Sequence, residues 1–157
     1  MGLRVLHLPT STGGNAWGLA QAERMLGMKS DVLVLNNSYL QYPADYVLFD
    51  KPMSSLSDKI ICSFYKLFKI LKIRHDYDVF HFNFGSSLID HPNLGLELAD
   101  LPLFQKQGKT ICVTYNGCDA RQKYPTMRRV DYAACHENNC FSGMCNSGNL
   151  DRERQKK

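Results

Sequence analysis

Short apolar runs alternate with longer amphipathic stretches through roughly the first 120 residues of the chain. Apolar runs of this length are typical of strands buried on both faces, and amphipathic stretches are typical of helices that cover a sheet. We predict strands at residues 3–8, 31–35, 78–83 and 110–115, and a short extended piece at 46–49. We predict helices at residues 16–28, 57–72 and 94–107, the last kinked or divided by Pro102. This alternation predicts an α/β fold with a Rossmann-like, doubly wound parallel sheet.

The predicted helix at residues 57–72 has the clearest periodicity in the chain. Its apolar face consists of Ile60, Ile61, Phe64, Leu67, Phe68 and Leu71. Its polar face consists of Lys59, Ser63, Lys66, Lys69 and Lys72. One interpretation is a helix that covers the sheet with its lysines in water. The other is peripheral contact between the lysines and an anionic membrane surface.

Length and composition narrow the class of protein. A chain of 157 residues with 44% hydrophobic residues suits one ordinary domain and excludes a wholly disordered chain. No apolar run approaches the ~20 residues that cross a bilayer, and no signal-peptide pattern opens the sequence. We therefore expect a cytoplasmic protein, either free or peripheral at the inner face of the membrane. The net charge of +4 is spread along the chain, so we expect no nucleic-acid partner.

Ligands bind parallel sheets at the carboxyl ends of the strands, so the loops that follow the strands are the candidate sites. The loop between the first strand and the first helix contains Gly13, Gly14 and Asn15. It is either a tight turn or a loop whose backbone N–H groups approach a bound anion. The sequence lacks the Gly-x-Gly-x-x-Gly pattern, and asparagines 36 and 37 stand where an acidic residue would hold a ribose. A dinucleotide site is therefore not expected.

Two further loops contain polar residues at strand ends. His81 and Asn83 are two positions apart and so share one face of a strand. A histidine between apolar neighbours is either a hydrogen-bonded core residue or part of a site. The segment from Asn116 to Arg121 places Asp119 and Arg121 after the last strand, as a solvated ion pair or as ligand contacts.

Together these segments resemble the N-terminal domain of bacterial glycosyltransferases of the GT-B fold, in the large retaining, sugar-nucleotide-dependent family. The resemblance rests on Arg-Val-Leu-His-Leu with its Gly-Gly loop, on the strand near position 80, and on Asn-Gly-Cys-Asp-Ala-Arg. The family's last loop commonly has His-Gly-Ser-Asp-x-Arg, so Asn116 and Cys118 depart from it while Gly117, Asp119 and Arg121 match.

The resemblance implies a lobe that holds a glycan or lipid-linked acceptor and faces a second domain that binds the nucleotide-sugar donor. It implies no cofactor for the chemistry, and it gives no catalytic residue in this chain. We expect the 157 residues to be inactive without the donor-binding domain. The residues it places at the substrates are Gly13, Gly14, Asn15, His81, Asn83, Asn116, Asp119 and Arg121.

A cysteine-rich segment follows the predicted sheet. Cysteine and histidine are the residue types that bind structural zinc. The candidate ligands here are Cys135, His136, Cys140 and Cys145, with Cys118 as a further candidate. Their spacing is not that of common zinc ribbons, so reduced thiols and disulfide or redox chemistry remain open. On the zinc interpretation, the alternative function is a non-catalytic α/β binding module with a metal-held interaction element.

The sequence therefore predicts three regions. Residues 1–121 form the Rossmann-like domain, residues 122–150 form an irregular cysteine-rich excursion, and residues 151–157 begin a helix with Asp151 as its N-cap. We expect that helix to continue beyond the given sequence.

Overall fold

The structure is a computed structural model that describes residues 2–37, 40–49, 56–90, 96, 98–118, 120 and 122–156. The chain divides into two compact units, Met1–Thr114 and Tyr115–Lys157. The first unit contains a parallel sheet with helices, and the second is helical with short turns. The two compact units meet between Thr114 and Tyr115. The sequence predicts that the sheet domain ends at residue 121, and that boundary stays a prediction.

The sheet has five strands in the order β3-β2-β1-β4-β5, and every neighbouring pair is parallel. This arrangement confirms the predicted α/β class with a Rossmann-like parallel sheet. The predicted extended piece at 46–49 is an edge strand of this sheet. The strands are β1 (Arg4–Leu8), β2 (Lys29–Asn36), β3 (Tyr46–Phe49), β4 (Val79–Asn83) and β5 (Thr110–Thr114).

Among its described residues, the first unit has three α-helices beside the sheet: α1 (Asn15–Met25), α2 (Leu56–Ile73) and α3 (Leu101–Lys106). The sequence predicted the third helix from residue 94, but its described part begins at Leu101. Pro102 lies in the first turn of α3, where the missing N–H costs no helical hydrogen bond. Pro102 therefore stands at the start of a helix and does not kink one. Residues 91–95 and 97 lie outside the described residues, so the alternative of a divided helix stays a prediction.

The alternating side chains of the strands make two separate cores, one on each face of the sheet. The larger core includes Leu6, Phe80 and Phe82 from the strands, and Ile70 and Phe104 from α2 and α3. The smaller core joins alanines 16 and 20 of α1 to valines 32 and 34 of β2. The helices therefore lie on both faces, as a doubly wound sheet requires.

The orientation of α2 differs from the prediction. Phe64 and Phe68 are 70% and 63% exposed, whereas Lys66 is only 8% exposed. The larger core is reached instead through Ile70 and Ile73. The predicted orientation, with the apolar face on the sheet and all the lysines in water, is therefore wrong for the described side chains. Burial lowers the pKa of Lys66, because a desolvated ammonium is disfavoured.

The second unit contains α4 (Lys123–Arg129) and α5 (Asn149–Lys156), joined through two single turns of 3₁₀ helix. The sequence predicted no regular structure at α4. The Asp151 carboxylate accepts the backbone N–H groups of Lys123 at 2.8 Å and Tyr124 at 3.0 Å. Asp151 therefore caps the start of α4 and lies inside α5, instead of capping α5 as predicted.

Candidate functional site

The candidate site lies where the two halves of the sheet meet. In the order β3-β2-β1-β4-β5, the chain leaves β1 toward one edge of the sheet and leaves β4 toward the other. The connections after these two neighbouring strands run to opposite edges of the sheet, and doubly wound sheets bind ligands at such a switch point. Asn15 begins the helix after β1, and Asn83 ends β4.

The loop after β1 has the turn that its two glycines predict. Gly13 and Gly14 have φ of 70° and 71°, in the left-handed region that other residues adopt at a cost. The Gly14 N–H donates to the Ser11 carbonyl at 2.9 Å, and Gly14 directly precedes α1. A Cβ on Gly14 would lie 3.5 Å from the Tyr42 ring. The tight turn is confirmed, and a ligand at this loop stays a prediction.

On these two neighbouring strands, β1 and β4, two histidines form a direct hydrogen bond. His7 of β1 pairs in register with His81 of β4, and their Nδ1 atoms are 2.8 Å apart. His7 is fully buried, and its Nε2 lies 2.9 Å from the Glu23 carboxylate of α1. The same Glu23 oxygen accepts the Ser30 hydroxyl at 2.6 Å. The predicted site residue His81 is thus joined to α1 through a second histidine.

The other nitrogen of His81 continues the chain of hydrogen bonds to the strand ends. His81 Nε2 makes a short hydrogen bond with Thr114 Oγ1, at the last residue of β5. Thr114 Oγ1 lies 3.4 Å from the side-chain oxygen of Asn83. We call the connected set Glu23, His7, His81, Thr114 and Asn83 the polar relay. It spans the sheet from α1 to the carboxyl ends of β4 and β5.

The Glu23 carboxylate fixes the direction of the relay, because it can only accept a hydrogen bond. With one proton on each ring, His7 donates from Nε2 to Glu23, His81 donates from Nδ1 to His7, and Thr114 donates to His81. The Thr114 hydroxyl has a single hydrogen, so it donates either to His81 Nε2 or to the side-chain oxygen of Asn83.

Burial lowers the pKa of His81, and the neighbouring His7 lowers it further. The Glu23 carboxylate acts in the opposite direction and raises it. Below its ordinary pKa of about 6.5, a free imidazole would be protonated in water, whereas the folded protein holds His81 neutral over part of that range. His81 is thus a neutral hydrogen-bonding group at pH 7 with a connected route for a proton.

Several predicted site residues lie elsewhere or outside the described part of the chain. Asn116 is described and belongs to the second unit, Tyr115–Lys157. Asp119 and Arg121 lie outside the described residues, so their predicted contacts stay predictions. The structure brings together two predicted residues, His81 and Asn83, through their shared partner Thr114.

Three members of the relay were not predicted as site residues. His7 was visible in the first strand, between the apolar residues Leu6 and Leu8, but nothing in the sequence indicated its partner. Glu23 and Thr114 are ordinary in their local patterns. The signal that would have found them is strand register, because parallel pairing of β1 with β4 places the two histidines side by side.

The cysteine-rich segment shows no assembled metal site in the part of the chain that is described. No group of three or more His, Cys, Asp or Glu side chains there could hold a metal ion. The described residues include all six cysteines, and none forms a disulfide. His136 Nε2 lies 2.8 Å from the Val130 carbonyl oxygen. The predicted ligands are not grouped around one point in the described residues, and zinc binding by Cys135, His136, Cys140, Cys145 and Cys118 stays a prediction.

No described helix combines the length and apolar character needed to cross a membrane. Comparison of the chain with known protein families, with curated proteins and with solved structures found no match.

Proposed function

We propose that this chain is the N-terminal, acceptor-side lobe of a retaining glycosyltransferase of GT-B architecture. The enzyme transfers a sugar from a nucleotide-sugar donor to a glycan or lipid-linked acceptor in the synthesis of a cell-surface polysaccharide. The main observation in favour is the polar relay, which ends at Asn83 and Thr114 on the carboxyl edge of the sheet, beside the switch between β1 and β4.

The chemistry of the relay suits a sugar acceptor. A sugar hydroxyl both donates and accepts hydrogen bonds, so it is recognised by side chains that do the same. Asn83 offers both groups, and the Thr114 hydroxyl and His81 Nε2 can each act in either direction. Such a cluster orients a hydroxyl before reaction, and orientation supplies a large part of the rate in transfers of this kind.

The Gly13-Gly14 turn provides the second element of the proposed site. Its position between β1 and α1 leaves backbone N–H groups near a helix start, where an anion is favoured. The buried Thr10 hydroxyl in the same loop makes no hydrogen bond within the described residues, so it is available to a ligand or to water. In the proposed enzyme this loop approaches the donor phosphates when the two lobes close.

A direct test uses the complete open reading frame that contains this chain. The protein is incubated with a panel of nucleotide sugars and a lipid-linked glycan fraction, and release of nucleoside diphosphate is measured. Thr114→Val removes a hydroxyl at the proposed acceptor site, and Thr110→Val makes the same change at the exposed start of β5. We expect Thr114→Val to lower kcat/KM for the acceptor by about tenfold, as loss of one hydrogen bond predicts. Thr110→Val should keep the wild-type value.

Two results would contradict the proposal. The first is the absence of nucleoside diphosphate release with every donor. The second is an equal effect of Thr110→Val and Thr114→Val, which would show that the loss does not come from the relay. A thermal unfolding measurement on both variants separates loss of substrate contact from loss of fold.

A further inference from the structure

The outer side of α2 is an apolar surface that no described residue covers. We call Ile61, Phe64, Leu67, Phe68 and Leu71 the outer stripe. Ile61 is 66% exposed and Leu71 is 41% exposed, so the exposure runs along three turns of the helix. With roughly 150–250 Å² for a whole aromatic side chain, the outer stripe exposes on the order of 500 Å². A contiguous apolar patch of this size usually marks an interaction site.

A cationic cavity adjoins the end of the outer stripe. It has a volume of about 150 Å³, and its lining includes the ammonium-bearing side chains Lys29, Lys69 and Lys72. Lys72 lies four residues after Phe68, on the same side of the helix. The cavity lining includes one carboxylate, Asp76, against these three lysines.

The contacts of these lysines leave positive charge at the surface. Lys69 lies over the Tyr46 ring at 5.6 Å, and Lys29 lies over the Tyr77 ring at 5.0 Å. Lys29 is 3.9 Å from Asp31, a loose and half-exposed ion pair. Aromatic rings below ammonium groups, beside exposed phenylalanines, form the pattern of a surface that meets lipid headgroups and the outermost acyl chains.

We propose that the outer stripe and the lysine cavity together dock this protein on an anionic lipid bilayer. The phenylalanines enter the boundary between headgroups and acyl chains, and the lysines bind lipid phosphates. A second copy of the chain fits less well, because an apolar patch of about 500 Å² is smaller than the ~800 Å² that each partner of a stable dimer buries. This proposal does not depend on the glycosyltransferase function, since it concerns α2 and the amino ends of β2 and β3.

The test is cosedimentation of the full chain with vesicles of phosphatidylcholine alone and of phosphatidylcholine containing about one third phosphatidylglycerol. We expect binding to the anionic vesicles only, with loss of binding at high salt. Phe64→Ser with Phe68→Ser should weaken binding by at least about tenfold, and Lys69→Gln with Lys72→Gln should remove the preference for anionic lipid. The matched control is Met25→Ser with Leu26→Ser, which removes two apolar side chains that are 87% and 76% exposed elsewhere.

Three outcomes would overturn the proposal. In the first, the protein remains in the supernatant with both kinds of vesicle. In the second, the control variant loses binding as much as the phenylalanine variant does. In the third, the wild type binds no vesicles and sedimentation velocity shows that it is a dimer, whereas the phenylalanine variant is a monomer. The last outcome would make a second copy the occupant. Because none of the exchanged side chains belongs to either core, circular dichroism of every variant should match the wild type.

Discussion

Replacing His7 by leucine should test whether the polar relay exists and stabilises the fold. Leucine is close to histidine in volume, so the substitution removes two hydrogen bonds without leaving a large cavity. Glu23 loses one partner but keeps the Ser30 hydroxyl at 2.6 Å, and its side chain is 23% exposed and so can be hydrated. His81 Nδ1 loses its hydrogen bond to the His7 ring, at 2.8 Å, and this nitrogen accounts for most of the cost.

The expected cost follows from that accounting. A buried polar atom left without a partner costs about 1–3 kcal/mol, and the gain in apolar surface offsets part of it. We therefore expect His7→Leu to lower the free energy of unfolding by about 2 kcal/mol at pH 7.5, a large fraction of the 5–15 kcal/mol typical of a domain. His75→Leu makes the same change at an exposed histidine and should cost less than about 0.5 kcal/mol.

The pH dependence gives a second, independent signature. Because the pKa of His81 is lowered in the folded protein, the unfolded chain binds the proton first as the pH falls. The stability associated with His81 is thus complete above about pH 6.5 and is lost as the pH falls toward the folded pKa, with a slope of at most about 1.4 kcal/mol per pH unit. Removing His7 removes one cause of the lowered pKa, so His7→Leu should lose less stability than wild type between pH 7 and pH 5.

Urea unfolding followed by the fluorescence of Trp17, the single tryptophan, measures both effects. Trp17 packs against the smaller core on the α1 face of the sheet, so its signal reports on the region that contains the relay. An unfolding free energy within 0.5 kcal/mol of wild type at pH 7.5, together with an unchanged pH profile, would refute the relay.

Three further predictions concern single positions. Gly14→Ala should lower the free energy of unfolding by about 1–2 kcal/mol in chemical denaturation, because φ at Gly14 is 71°. Gly18→Ala lies inside α1 with no atom within 4 Å of the new Cβ, and it should raise that free energy by about 0.5–1 kcal/mol. Equal effects of the two variants would contradict the strained turn. Asp100→Ala should cost about 2–3 kcal/mol, and Asp100→Asn distinctly less, because the buried carboxylate accepts two backbone N–H groups of the preceding loop; thermal unfolding compares the two. The pKa of Asp78 should be about 2 by NMR titration, owing first to the hydrogen bonds that the Arg4 guanidinium donates to it. The ionised Asp78 carboxylate therefore stabilises the fold fully above about pH 4, and this stability is lost as the pH falls through 2. Arg4→Gln should return that pKa toward 3.8, and an unchanged value would show that the ion pair does not form in solution.

The sheet was predictable because its signals are local. Most strands are short apolar runs, and β1, β2 and β4 end at asparagine or directly before proline. Every predicted strand is present, with bounds that differ by at most two residues. Local patterns do not contain the register between strands. His7 and His81 are 74 residues apart, and only the pairing of β1 with β4 brings them together.

The orientation of α2 was not predictable from its periodicity. Apolar residues occupy more than one side of this helix, since Ile70 and Ile73 lie on a different side from Phe64 and Phe68. The rule that the richer apolar face is buried then selects the wrong side, because packing against the sheet and not hydropathy decides the rotation of the helix. A helix with two apolar sides can cover a core and still offer a surface.

The cap that Asp151 places on α4 has a consequence for the order of folding during synthesis. The first N–H groups of α4 obtain their acceptor from a residue 28 positions later in the chain. While the ribosome is still adding that stretch, α4 has no capped start, and seven residues are too few for a stable isolated helix. The start of α4 therefore gains this acceptor only after Asp151 has left the exit tunnel, so α4 becomes stable late in synthesis.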